Sequence, residues 1–112
     1  MDCIFCKIAE GKIPSNKVYE DDKIVSFYDL NPQAKVHVLV IPKNHISCAD
    51  EINAENCEDI AHIFVKIPEI AKLAGITNGY RVITNCGEDG CQSVKHLHYH
   101  ILGGEKLSER MA

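Results

Sequence analysis

Apolar residues recur along this chain first at helical spacing, then at strand spacing, then at both again. Ile4, Phe5 and Ile8 share one side of a short helix that Asp2 can cap and Gly11 can stop before Pro14. Residues 17–19 and 23–28 read as a hairpin across the acidic turn Glu20-Asp21-Asp22. The run Val36-His37-Val38-Leu39-Val40-Ile41 is β-rich and ends at Pro42, as a central strand does. Helical spacing returns in Ile60, Ile63, Phe64, Ile67, Ile70, Ala71 and Ala74, which predict a long helix with Asn53 as N-cap and Gly75 just beyond its end. Pro68 inside that pattern kinks the helix or removes one of its hydrogen bonds. Residues 80–84 and 96–102 supply two more strands, joined by the loop 85–95 with Gly87 and Gly90 in it. An order of helix, three strands, helix and two strands has no βαβ alternation, so the expected class is α+β with a mainly antiparallel five-stranded sheet.

Length and composition narrow the picture without changing it. The 112 residues predict one domain over 1–112, small enough for a partner subunit to supply much of its buried surface. Lys plus Arg is 12 against 16 for Asp plus Glu, and the basic residues are scattered, which weighs against nucleic acid as a partner. No apolar run approaches the roughly 18 residues of a membrane span, and no basic segment leads into an apolar one at the N-terminus. The expectation is a cytoplasmic protein that does not engage a membrane. Six cysteines then point to reduced thiols or metal ligands rather than to a disulfide framework. Cys3 and Cys6 form a CxxC; Cys48, Cys57, Cys86 and Cys91 have no such spacing and read as small packed residues.

The chemistry concentrates in His96-Leu97-His98-Tyr99-His100-Ile101-Leu102, where half of the chain's six histidines stand at alternate positions. On a strand all three rings take one face, with Leu97, Tyr99 and Ile101 on the other. Same-face neighbours lie roughly 6.6 Å apart, a spacing that suits a ligand several atoms across.

This row resembles the HxHxHxx signature of the histidine triad (HIT) superfamily. Other pieces agree with that family in order: Cys3-Ile4-Phe5-Cys6-Lys7-Ile8, His37-Val38-Leu39-Val40-Ile41-Pro42-Lys43, and Asp89-Gly90-Cys91-Gln92-Ser93-Val94 before the triad. The similarity covers nearly the whole chain and is nearest to the Hint branch of purine nucleoside phosphoramidases. It implies a HIT-like fold with one short N-terminal and one long helix.

The resemblance also implies a nucleophilic mechanism on a nucleoside phosphate. His98 matches the family nucleophile, whose neutral ring attacks the α-phosphorus to give a covalent nucleotidyl-histidine that water hydrolyses. An imidazole of ordinary pKa, about 6.5, is largely neutral near pH 7 and leaves readily once protonated. His100 and Asn85 match positions that hold phosphate oxygens, Ser93 one on the phosphate and leaving-group side, and His37 one that supports the triad. Asp29 matches the carboxylate on the ribose hydroxyls, and Ile4, Phe5, Ile8, Phe27 and Leu30 the apolar pocket around a purine. By residue type alone, Phe5, Ile8 and Leu30 read rather as core and Asp29 as a turn residue before Asn31-Pro32; the resemblance favours a site role for Asp29 and leaves the apolar set open between wall and core. The substrates implied are AMP, GMP or their phosphoramidates, with no organic cofactor.

A second implication is zinc. The CxxC spacing is usual for structural zinc, and by the resemblance His45 and His96 complete a Cys2His2 set with Cys3 and Cys6. The alternative is that Cys3 and Cys6 are packed thiols and His45 a surface loop residue. Cys91 stands where Hint relatives often have glycine, and the tail 105–112 lacks a tryptophan that some relatives carry. Two further readings stay open: a metallohydrolase with His96, His98 and His100 on one metal, and a nucleotide-binding module of negligible turnover. The family arrangement also implies a homodimer, in which the helix over 54–74 and the strand over 80–84 meet their symmetry mates.

Overall fold

A computed structural model of the protein describes residues 3–111. Its elements follow the predicted order: α1 (Ile4–Ala9), β1 (Lys17–Glu20), β2 (Ile24–Tyr28), β3 (Val36–Pro42), a 3-10 turn (Ala49–Glu51), α2 (Cys57–Leu73), β4 (Tyr80–Ile83) and β5 (Tyr99–Gly103). All strand pairs are antiparallel, in the spatial order β1-β2-β3-β5-β4.

Period-2 alternation divides the sheet into two faces with different covers. Ile24, Val38, Val40, Leu97, Tyr99 and Ile101 pack on Ile63, Ile67, Ile70 and Ala71 of α2. Val25, Phe27, Leu39 and Ile41 point the other way and pack on Cys3, Phe5 and Ile8 of the α1 region. The short α1 covers only part of its face, so the histidines of β3 and β5 have room beside it.

Both helix starts differ from expectation. Asp2 lies outside the described residues, and the observed N-cap of α1 is Cys3, whose Sγ accepts the Cys6 N–H at 3.2 Å. Asn53 caps a turn that precedes α2: its Oδ1 accepts from the Glu55 and Asn56 N–H groups, while Asn56 Oδ1 accepts from Asn53 N. The helix proper therefore begins a turn later, at Cys57, with Asn56 as N-cap. Its end follows expectation, with Gly75 at φ +87° and the Ile76 N–H closing onto the Ala71 carbonyl at 2.9 Å. Pro68 sits within α2 on its exposed side, where the carbonyl deprived of a helical donor faces solvent rather than the core.

The predicted strand over 96–102 starts only at Tyr99. Pairing of β5 with β3 runs from Val36↔Gly103 to Val40↔Tyr99, and continuing it would set Leu97 opposite Pro42, which has no N–H to offer. The Leu97 N–H instead donates to the Ile46 carbonyl at 2.6 Å. No helix among the described residues is long and apolar enough to cross a membrane.

Candidate active site and metal cluster

Four of the site residues come from adjacent strands in register, and a fifth lies just outside them. His37 leads the exposed-cover face of β3, Leu39 lies opposite both Phe27 of β2 and His100 of β5, and His98 precedes β5 by one residue. The rings of His98 and His100 stand 5.1 Å apart at 63°, so alternation does put these two on one side. Phe5 meets His98 edge-on at 5.1 Å and His96 at 6.0 Å, which keeps His96 on the same side although the ladder has ended.

Hydrogen bonds fix where the ring protons lie. Gln33 N–H donates to His37 Nδ1 at 3.0 Å, so His37 carries its proton on Nε2. That Nε2–H donates to His100 Nδ1 at 2.8 Å and lies 3.4 Å from Asp29 Oδ2. His100 is thereby left with its proton on Nε2. His98 Nδ1–H donates to the His96 carbonyl at 2.7 Å, which leaves the Nε2 lone pair of His98 unused. A donor at His100 and a lone pair at His98 stand side by side. Burial, reinforced by the nearby His98 and His37, holds the His100 pKa down at about 4, and burial likewise lowers that of His37 despite the Asp29 carboxylate. His37 and His100 are therefore neutral at pH 7.

A cavity of about 290 Å³ opens beside these rings. Its wall contains Ile4, Phe5, Ile8, Phe27, Asp29, Leu30, Ser93, His98 and His100. The two readings of the apolar set separate by residue. Phe5, Ile8 and Phe27 are buried and serve as core and wall at once, whereas Ile4 is half-exposed and Leu30 fully exposed at the rim. The core reading of Leu30 is thus corrected: it follows the last β2 residue by two and has nothing packed over it. Asp29 is a turn residue and a site residue together, since Oδ1 accepts the Asn31 N–H at 2.7 Å while Oδ2 approaches His37.

His37 and Asn85 do not line this cavity. They flank His100 on its other side, in a cleft of about 540 Å³ shared with Arg81, Glu105 and Lys106. Asn85 spends one amide hydrogen on the Gly90 carbonyl at 2.8 Å. Sequence reasoning missed Leu39, Ile13 and Val94 in the cavity wall. Leu39 was legible, because it is two residues from His37 on a strand; Ile13 depends on how the chain turns after α1.

His96 has a different environment. Its Nε2–H donates to the Pro42 carbonyl at 2.8 Å, which turns the Nδ1 lone pair toward Cys3 Sγ at 3.2 Å, Cys6 Sγ at 3.4 Å and His45 Nδ1 at 3.1 Å. Cys6 Sγ lies 3.2 Å from His45 Nδ1. With zinc–sulfur and zinc–nitrogen bonds of about 2.3 and 2.0 Å, the edges of a zinc tetrahedron measure roughly 3.3 to 3.8 Å. Two thiols and two ring nitrogens at such separations fit that ion. Burial, then the Cys3 thiol beside it, pushes Cys6 up to about 11 in the absence of a cation; zinc inverts this by favouring the thiolate. Because His96 is committed here, the three triad rings do not converge, and the reading with His96, His98 and His100 on one metal loses its first ligand.

The remaining cysteines are not uniformly packed. Cys57 and Cys91 are exposed; Cys48 and Cys86 are half-buried. Cys91 adopts φ +60°, the left-handed conformation that a glycine there would accept without cost.

The family model described as "Scavenger mRNA decapping enzyme C-term binding" matches residues 2–112. A histidine triad protein from Clostridium difficile is 56% identical, with 98% of this chain and 96% of that one covered and a TM-score of 0.93. A HIT family hydrolase from Legionella pneumophila Philadelphia 1 is 39% identical over 99% of this chain and 100% of its own, also at a TM-score of 0.93. A Zea mays protein named 14 kDa zinc-binding protein is 43% identical over 94% of this chain and 84% of its own length.

Proposed function

The chain belongs to the histidine triad (HIT) superfamily, and on that premise we propose that it is a hydrolase of purine nucleoside 5'-phosphoramidates of the AMP-NH2 or AMP-lysine type, acting through His98. The observation that carries this reading is the bond from His98 Nδ1–H to the His96 carbonyl, which presents an unprotonated Nε2 at the cavity. Support for a hydrolase comes also from the Legionella relative.

In the proposed reaction Nε2 of His98 attacks the α-phosphorus, the P–N bond breaks as the leaving nitrogen takes up a solvent proton relayed by Ser93 and departs as the neutral amine, and the ring becomes a nucleotidyl-imidazolium; the proton is returned to solvent when water hydrolyses that adduct. Its positive charge is met by the His96 carbonyl, which already holds Nδ1–H. His100 Nε2–H donates to a phosphoryl oxygen, an arrangement kept in place by the Gln33, His37, His100 chain. Ser93 serves the phosphate and leaving-group side, and Asn85 reaches the phosphate from the opposite flank of His100. Asp29 accepts from the ribose hydroxyls, and the purine packs among Phe5, Ile8 and Phe27 with Leu30 closing over it. Water then attacks phosphorus, releasing AMP and the neutral ring.

Zinc on Cys3, Cys6, His45 and His96 is a structural part of the reading: bound, it ties the start of α1 to the segment bearing His98, and the reaction takes no step through it. The zinc-binding maize relative supports it. The assembly proposed is a homodimer, supported by the exposed Phe64, Val65 and Leu73 of α2 and Tyr80 on the edge strand β4. Light scattering at micromolar concentration should return twice the chain mass.

The decisive test is a mass spectrum of protein quenched during turnover of adenosine 5'-phosphoramidate. An adenylylated wild type, absent in His98→Ala, supports the mechanism; AMP binding with no adduct in a single turnover favours the binding-module reading.

A further inference from the structure

We propose that Cys48, Asp50 and Cys86 form a second cation site, separate from the Cys2His2 set and selective for a thiophilic divalent ion. Their Sγ, carboxylate and Sγ atoms lie within 4.8 Å of one another. Against the Asp50 backbone amide, which acts to lower it, the Cys48 thiol and the Asp50 carboxylate beside Cys86 both act to raise its pKa, as close neighbours of a thiol do. Two thiolates and a carboxylate are a soft, anionic donor set with three ligands. Both thiols are half-buried and Asp50 is exposed, so a fourth position faces solvent and can take water.

The backbone holds these donors in place before any ion arrives. Cys86 is gripped by a tight turn: a Cβ on Gly90 would come within 2.5 Å of the Cys86 carbonyl oxygen, and Cys91 follows at φ +60°. Gln92 then clamps the turn to the segment carrying Cys48. Its Oε1 accepts from Gly87 N at 3.1 Å and its Nε2 donates to the Ser47 carbonyl at 2.7 Å. Residues 47–50 and 86–92 thus approach each other through a side-chain bridge. Binding a divalent ion replaces the two thiol protons with one cation and leaves the centre with one negative charge, releasing about two protons per ion at neutral pH. Since Cys86 directly follows Asn85, an ion here also ties the Asn85 flank of the cleft to the segment bearing His45.

The test is a cadmium titration of the zinc-loaded protein under a phosphine reductant, read by sulfur-to-cadmium absorption, by proton release, and by bound metal after gel filtration. Wild type is expected to hold one more divalent ion per chain than Cys48→Ser, Cys86→Ser, while Cys3→Ser, Cys6→Ser keeps one. Asp50→Asn, a change at an exposed position that spares the fold, should weaken the second ion at least tenfold. Equal stoichiometry in wild type and the Cys48→Ser, Cys86→Ser variant overturns the proposal. So does unchanged cadmium affinity in Asp50→Asn, or a reductant-treated wild type whose mass stays two hydrogens low and which takes up no second ion.

Discussion

His96 and His98 are two residues apart, on the same side of the chain and touched by the same Phe5 ring, yet they face different chemistry. His96 gives its proton to Pro42 and turns a lone pair into a sulfur-rich cluster. His98 gives its proton to the His96 backbone and keeps a lone pair for an apolar cavity. What differs is the neighbour that receives the proton. Identical side chains at alternate positions therefore acquire opposite roles through one hydrogen bond each.

The largest expected effect falls on the His98 side. His98→Ala should abolish turnover of adenosine 5'-phosphoramidates by several orders of magnitude while AMP binding, measured by calorimetry, persists. His100→Ala removes one donor to the phosphoryl oxygens and should cost about 2 to 4 kcal/mol in kcat. Near-normal rates in His98→Ala would erase the contrast between the two rings.

Changes on the His96 side should act on stability instead. Cys3→Ser with Cys6→Ser should remove the zinc and lower Tm by more than 10 °C, since about 3 kcal/mol or more is lost from a chain of this size. Turnover per folded molecule should fall much less. Full metal content in that double variant would refute the cluster.

Acid should sharpen the comparison more gently. His100 is held at about 4 by burial and the neighbouring rings, below the ordinary histidine value of about 6.5. Between these values the unfolded chain binds a proton that the folded one refuses, so stability is present above pH 6.5 and is lost as pH falls toward 4. His37, lowered in the same direction by burial, adds to the slope. His100→Asn should flatten part of it in melts recorded every half unit.

The smallest effect tests the loop between the two regions. Cys91→Gly relieves a left-handed non-glycine residue and should stabilise the protein by about 0.5 to 1 kcal/mol in urea denaturation, with kcat unchanged.

Much of this was legible in order and spacing. Alternation in 36–41 places His37 and Leu39 on one face, helical spacing places Ile63, Ile67 and Ile70 on one stripe, and the HxHxH row brings His98 beside His100. These follow from local geometry, because side-chain direction on a strand or helix is set by its own backbone. The helix starts were less legible: Asn53 and Asn56 can each cap, and the choice depends on a turn they build together.

The sequence by itself therefore determined the α+β element order, the two-faced sheet and the residue types available at the site. Only the tertiary structure decided that the triad splits between two centres, that β5 begins at Tyr99 because Pro42 has no N–H to extend the ladder, and that Cys48 meets Cys86. Each of these depends on partners 38 to 93 residues away along the chain. Spacing in sequence fixes which way a side chain points, and the packed fold fixes what it meets there.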